Sequence, residues 1–107
     1  MKRGEVVWLR SQRGAKGHEQ RGARYGVVLQ SNELLVMSTV VVAPTSTSAM
    51  PASFRPEVTI EGERTRVMVD HLTATDLSRI GDAVRMLSWE ELADVDRALA
   101  LVLGLAR

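Results

Sequence analysis

Three side chains in this sequence have chemistry suited to handling an anion. Arg24 carries a guanidinium that stays charged at any working pH and presents a planar fork of donors matched to phosphate. Thr45 follows Pro44, which reads as a strand end, so its hydroxyl and the amides after it can form a small anion-binding concavity that Ser46 extends. His18 has an unperturbed pKa of about 6.5, so within its segment it can both take and give a proton near neutrality. Residue type alone leaves each an ordinary alternative: a surface arginine at a strand start, a polar turn, a solvated imidazole.

Charge distribution admits an anionic ligand and a solvated basic loop alike. Residues 1–26 hold seven Lys or Arg against two Glu, a local charge of +5 in a chain whose total is only +1, so the remainder carries −4. One end of the molecule therefore has a positive potential without a basic composition overall, which suits a local anionic ligand better than a long coated polymer. With 45% hydrophobic and 25% charged residues, the composition is that of a globular protein, and disorder is excluded. The absence of cysteine removes disulfide frameworks, thiolate zinc sites and cysteine nucleophiles. His18 and His71 have no ligand-like spacing, so no metal site is expected. No apolar run reaches the roughly 18 residues of a membrane span, so a cytoplasmic location with no membrane partner is expected.

The elements that must position these groups follow from patterning. Residues 5–10 read as a strand through Val6, Val7, Trp8 and Leu9. Residues 11–23 lack hydrophobic periodicity and are rich in Arg, Lys and Gly, a long polar loop of the kind that small domains keep for function. Residues 25–30 and 35–43 form two further strands joined at Ser31-Asn32-Glu33, with Pro44 closing the second. A hairpin follows, with arms at 57–60 and 65–69 around Glu61-Gly62-Glu63, then a single helical turn over 75–80 and a closing strand over 83–87. Ser88-Trp89-Glu90-Glu91 has capping-box form and starts a helix over 89–103. Leu92, Val95, Leu99, Val102 and Leu103 line its buried stripe, and Gly104 caps its end. Residues 1–107 thus read as one β-dominated α+β domain, a small curved antiparallel sheet or barrel with a C-terminal helix.

Three segments carry a resemblance. Arg3-Gly4-Glu5-Val6-Val7-Trp8, then Gly17-His18-Glu19-Gln20-Arg21-Gly22-Ala23-Arg24, then Val40-Val41-Val42-Ala43-Pro44-Thr45-Ser46 match in order and spacing. With the closing Leu-Ser-x-Glu-Glu-Leu, the chain resembles the MazF/PemK/Kid family of toxin endoribonucleases over nearly its whole length. That resemblance implies an SH3-like barrel of the CcdB/PemK kind, a homodimer, and cleavage of single-stranded RNA at short sequences without metal or cofactor. It also implies inhibition by a cognate MazE-like antitoxin.

Within the resemblance, Arg24 and Thr45 fall on catalytic positions, His18 matches the histidine of the Kid-like branch, and Asp70 stands where Kid has its candidate base. Glu19, Gln20, Arg21, Lys16, Arg13 and Ser46 would border the RNA groove. The Asp70 segment departs from the family pattern, with His71 for glutamine, Thr73 for arginine and Met68 for a further arginine. Tyr25 replaces the proline that usually follows the loop arginine, so a difference from the family pattern is expected in loop geometry or in a base-stacking contact. Two other readings stay open: a non-cleaving toxin that binds a protein such as gyrase, and a degenerate homologue that binds RNA or antitoxin without cutting.

Overall fold

Valine dominates the interior. The largest fully buried side chains are Val6, Val7, Val27, Val28, Val40, Val42, Val67, Val69 and Val95. A branch at Cβ leaves few χ1 rotamers to lose and fits the pleated sheet surface, and each such burial is worth about 1.5–3 kcal/mol. The computed structural model describes residues 1–10 and 25–105. Seven strands and one helix are described: β1 (Glu5–Leu9), β2 (Tyr25–Val28), β3 (Thr39–Ser46), β4 (Glu57–Ile60), β5 (Glu63–Val67), β6 (Thr73–Asp76), β7 (Ile80–Met86) and α1 (Trp89–Leu103).

The strands form a single curled antiparallel sheet, a half-barrel in the order β4-β5-β3-β2-β1-β7, with β6 also on β3. Successive residues Val6 and Val7 face opposite sides of β1 and enter two different clusters, as the two-residue period requires. One cluster joins Val6, Val27, Ala43 and Val67 to Val95 and Ala98 of α1. The other gathers Val7, Leu9, Val28, Val40 and Val42, closed by Leu35 and Ile80. Among the described residues no helix is long and apolar enough to cross a membrane.

Several boundaries differ from the sequence expectation. The third strand starts at Thr39, because residues 31–38 turn through a short 3₁₀ segment (Asn32–Leu34) capped by the Ser31 hydroxyl. Pro44 does not close this strand, which runs on to Ser46. The reason is a change of partner along one edge: β6 pairs with Thr39 to Val42, and β5 pairs with Thr45 and Ser46. Pro44 sits at the changeover, where its carbonyl accepts the Met68 amide at 2.8 Å. In a strand the N–H and C=O of one residue point the same way, so the missing proline donor faces this junction and interrupts no ladder.

The expected single helical turn over 75–80 splits into β6 and a 3₁₀ turn, Leu77–Arg79, and the last strand begins earlier, at Ile80. The β4–β5 hairpin closes on two residues, Glu61 and Gly62, both at positive φ (52° and 82°), so its second arm is Glu63–Val67. The helix spans the expected residues with both capping-box bonds formed. Its stripe is only partly buried: Val95 and Ala98 lie inside, whereas Val102 and Leu103 are exposed.

Candidate active site

Three strand ends meet on one side of the sheet. β1 finishes at Leu9, β2 begins at Tyr25, and β3 reaches Thr45 and Ser46. The pairing of Trp8 with Tyr25 and of Gly26 with Pro44 sets them side by side. Thr45 is not on an exposed turn. It is buried within β3, only 3% exposed, opposite Val67, and its Oγ1 donates to the Tyr25 carbonyl at 3.3 Å. The Tyr25–Gly26 peptide that opens β2 is thereby tied to Thr45.

Ser46 Oγ lies 3.3 Å from Ser48 Oγ and accepts the Ser48 amide at 3.2 Å, which turns the chain out of β3. Arg24, His18, Glu19, Gln20, Arg21, Lys16 and Arg13 lie outside the described residues.

Asp70 occupies a 3₁₀ turn (Val69–His71), where Arg55 grips its carboxylate bidentately, Nε to Oδ1 at 3.1 Å and Nη2 to Oδ2 at 2.8 Å. These charge-assisted bonds hold the Asp70 pKa below the usual carboxylate value, outweighing its partial burial. Arg55 also donates to the Met50 carbonyl at 3.1 Å and lies 5.6 Å over the Phe54 ring, so the pair pins the segment that leaves β3. His71 Nε2 is 3.6 Å from Asp70 Oδ2. The arginine that the sequence pattern lacks at positions 68 and 73 is met here by one from another segment. No local spacing in the sequence signals it, since Arg55 and Asp70 are brought together only by β4 and β5.

Further cations lie across the same end of the sheet. Arg10 and Arg79 bond to each other's main chain, Arg10 N donating to the Arg79 carbonyl at 2.8 Å and Arg79 Nε to the Arg10 carbonyl at 3.1 Å. Trp8 packs edge-to-face on Tyr25, with centroids 5.2 Å apart and planes at 84°. Sequence reasoning passed over Trp8, Arg10 and Arg79 as functional residues, although the two-residue alternation beyond Leu9 already groups Trp8 with Arg10. Among the described residues no three His, Cys, Asp or Glu side chains converge as metal ligands.

Residues 2–103 match the family model of the PemK-like, MazF-like toxin of type II toxin-antitoxin system. A toxin candidate of Mycobacterium tuberculosis, Rv3098A, is 45% identical over 91 residues, covering 84% of this chain and 85% of that protein. The structure of MazF from Deinococcus radiodurans superposes with a TM-score of 0.77 at 27% identity, covering 97% of this chain and 96% of that one. A mycobacterial endoribonuclease solved in complex with its cognate antitoxin has the same fold, with a TM-score of 0.77 at 17% identity over 100% of this chain and 98% of that one. On these matches and the strand order above, the chain belongs to the PemK-like, MazF-like toxins of type II toxin-antitoxin systems.

Proposed function

We propose that this toxin is a metal-independent, sequence-selective endoribonuclease acting on single-stranded RNA in the cytoplasm. The observation that supports this most is the Thr45 hydroxyl bonded to the Tyr25 carbonyl, because it ties the Pro-Thr-Ser strand to the residue that follows Arg24 in the chain. The nucleophile is the ribose 2′-hydroxyl of the substrate. Its oxygen bonds to the adjacent phosphorus, the bond from phosphorus to the 5′-oxygen breaks, and the products are a 2′,3′-cyclic phosphate and a 5′-hydroxyl.

One proton leaves the 2′-oxygen and one reaches the 5′-oxygen. His18 suits both transfers by its pKa range. Arg24 stabilises the charge on the phosphorane oxygens, and Thr45 adds a hydroxyl donor. Asp70 is a poor base in this arrangement, since Arg55 holds it as a stable carboxylate. In our reading it positions the segment after β3, and Glu19, Gln20, Arg21, Lys16, Arg13 and Ser46 contact the RNA strand.

An antitoxin with an acidic or apolar tail would inhibit by covering the basic segment and so occupying the substrate's charge site. The antitoxin complex of the mycobacterial relative supports this partner class. A homodimer is also part of the reading: Leu101, Leu103 and Leu105 are 53%, 52% and 67% exposed around the end of α1, apolar area that packing against an identical copy would remove from water.

The test is incubation with a long transcript in EDTA. Fragments with 5′-hydroxyl ends are expected, and an all-DNA strand of the same sequence should survive because it lacks the nucleophile. Uncut RNA that is still retained in a gel shift would favour a degenerate binder. Inhibition of gyrase without RNA cleavage would favour a protein-directed toxin. Either result overturns the proposal.

A further inference from the structure

Beside the strand ends, Trp8, Arg10 and Arg79 form a cluster to which the proposed chemistry gives no task. Trp8 is 39% exposed although its strand neighbours Val7 and Leu9 are buried. The indole lies against the bare backbone of Gly81: a Cβ at that position would stand 3.1 Å from Trp8 Cβ and 3.2 Å from Trp8 Cδ1. Tyr25 also holds the ring, by the edge-to-face contact. A large aromatic surface is thus fixed at the surface, which limits the rotamer entropy lost when something stacks on it.

Arg10 stands two residues beyond Trp8, and its Nη1 donates to the Ser78 and Ile80 carbonyls at 3.2 and 2.7 Å. Ile80 immediately precedes Gly81, so the carbonyl that anchors the Arg10 guanidinium is one residue from the glycine beside Trp8. Those two bonds orient the guanidinium and leave its Nε and Nη2 donors out of them. Arg79 is oriented in the same way, through Nε on the Arg10 carbonyl, with Nη1 and Nη2 left out of that bond. Among the described residues, both guanidiniums bond to main-chain carbonyls and neither pairs with a carboxylate. Two oriented cationic forks beside an anchored aromatic face are complementary to one nucleotide, a phosphodiester on the forks and a base on the ring.

We propose that Trp8, Arg10 and Arg79 form a nucleotide-binding subsite for single-stranded RNA, flanking the scissile position on the β1–β7 side. Its occupant is a neighbouring nucleotide of the strand being cut, so the proposal rests on the ribonuclease reading. Stacking accepts any base, so the subsite contributes affinity and strand direction, with little sequence selection.

The experiment uses the full chain carrying Trp89→Phe. Trp89 is 83% exposed and outside the site, and its replacement leaves Trp8 as the single indole. The probe is a short single-stranded 2′-O-methyl RNA, uncleavable because its nucleophiles are blocked, with a fluorescein end label that reports binding by anisotropy. Saturable quenching of Trp8 emission along the anisotropy curve is expected. Trp8→Leu should weaken binding about 5- to 150-fold. Arg10→Gln and Arg79→Gln should each lower the slope of log affinity against log salt by about 0.7, the value for one single-strand phosphate contact.

On cleavable RNA the two Gln variants should raise KM and keep kcat. Arg10→Lys, which keeps the charge but not the fork, should recover only part of the loss, whereas a merely structural arginine would leave the salt slope at the parent value. Unchanged Trp8 emission at full anisotropy, or an unchanged slope in both Gln variants, overturns the subsite while leaving cleavage by the parent intact. A parent that neither binds nor cuts RNA refutes the subsite together with the ribonuclease reading.

Discussion

Replacing Thr45 with valine separates a structural from a catalytic hydroxyl. The two side chains have nearly the same shape, and at a site only 3% exposed the added methyl packs where the hydroxyl was. What is lost is one neutral hydrogen bond at the long end of the range, 3.3 Å to the Tyr25 carbonyl. Such a bond contributes about 0.5–1.5 kcal/mol, and the length of this one places it in the lower half of that range. At roughly 4–8 °C per kcal/mol for a domain of this size, a fall in Tm of no more than about 8 °C is expected. If the hydroxyl also donates to the reacting phosphate, the loss of one preorganised donor should lower kcat/KM by about 10² to 10³, or ~3–4 kcal/mol of transition-state stabilisation. Initial rates on an internally quenched RNA oligonucleotide and thermal melts by circular dichroism give the two numbers on one preparation. Thr45→Ser should regain most of the rate. A folded Thr45→Val variant that cuts RNA as fast as the parent would refute the catalytic assignment and leave Thr45 as packing alone.

Two further perturbations address the frame. Asp70→Asn removes a carboxylate whose folded pKa lies below its unfolded value, so the stability it contributes is present above about pH 4 and lost as pH falls through the lower folded pKa. Urea midpoints of parent and variant should therefore differ at neutral pH and converge in acid; a difference that persists at the lowest pH would show that the bidentate Arg55 pair is not its source. Ser88→Ala removes the hydroxyl that accepts the Glu91 amide at 3.1 Å, and should cost about 1 kcal/mol in a thermal melt, as for other lost helix caps.

The helix was legible in the sequence because its determinants are local. Ser88, Glu91 and Gly104 sit at the cap positions, and a 3.6-residue period connects them. The strands were legible in existence but not in extent. Val40 to Ala43 announces a strand, yet its continuation through Pro44 depends on β6 giving way to β5 along the edge, a fact held by residues 65–76 and not by residues 39–46. The same non-locality hid the partner of Asp70. A guanidinium was absent from the neighbouring positions, and the one that binds it comes from 15 residues upstream. Val102 and Leu103 misled in the opposite direction: helical spacing placed them on the apolar stripe, yet both are exposed, because an apolar period marks a face without marking how far along the helix a partner covers it.

The strand continuation changes how Thr45 should be understood. A hydroxyl on a free turn after a strand would have to be ordered anew each time substrate bound, at a cost in entropy. In β3 it is flanked instead by β2 on one edge and β5 on the other, with Pro44 just before it and the Tyr25 carbonyl already accepting its proton. The backbone position of Thr45 is thereby preorganised, so rotation of the hydroxyl is the motion left to make as charge develops. The bond to Tyr25 would have to be exchanged for one to the phosphorane oxygen. That exchange trades a neutral acceptor for a phosphorane oxygen that carries more charge than in the ground-state phosphodiester, so the new bond is strongest once that extra charge has accumulated. Thr45 would then favour the transition state over bound substrate, so Thr45→Val should lower kcat far more than it raises KM.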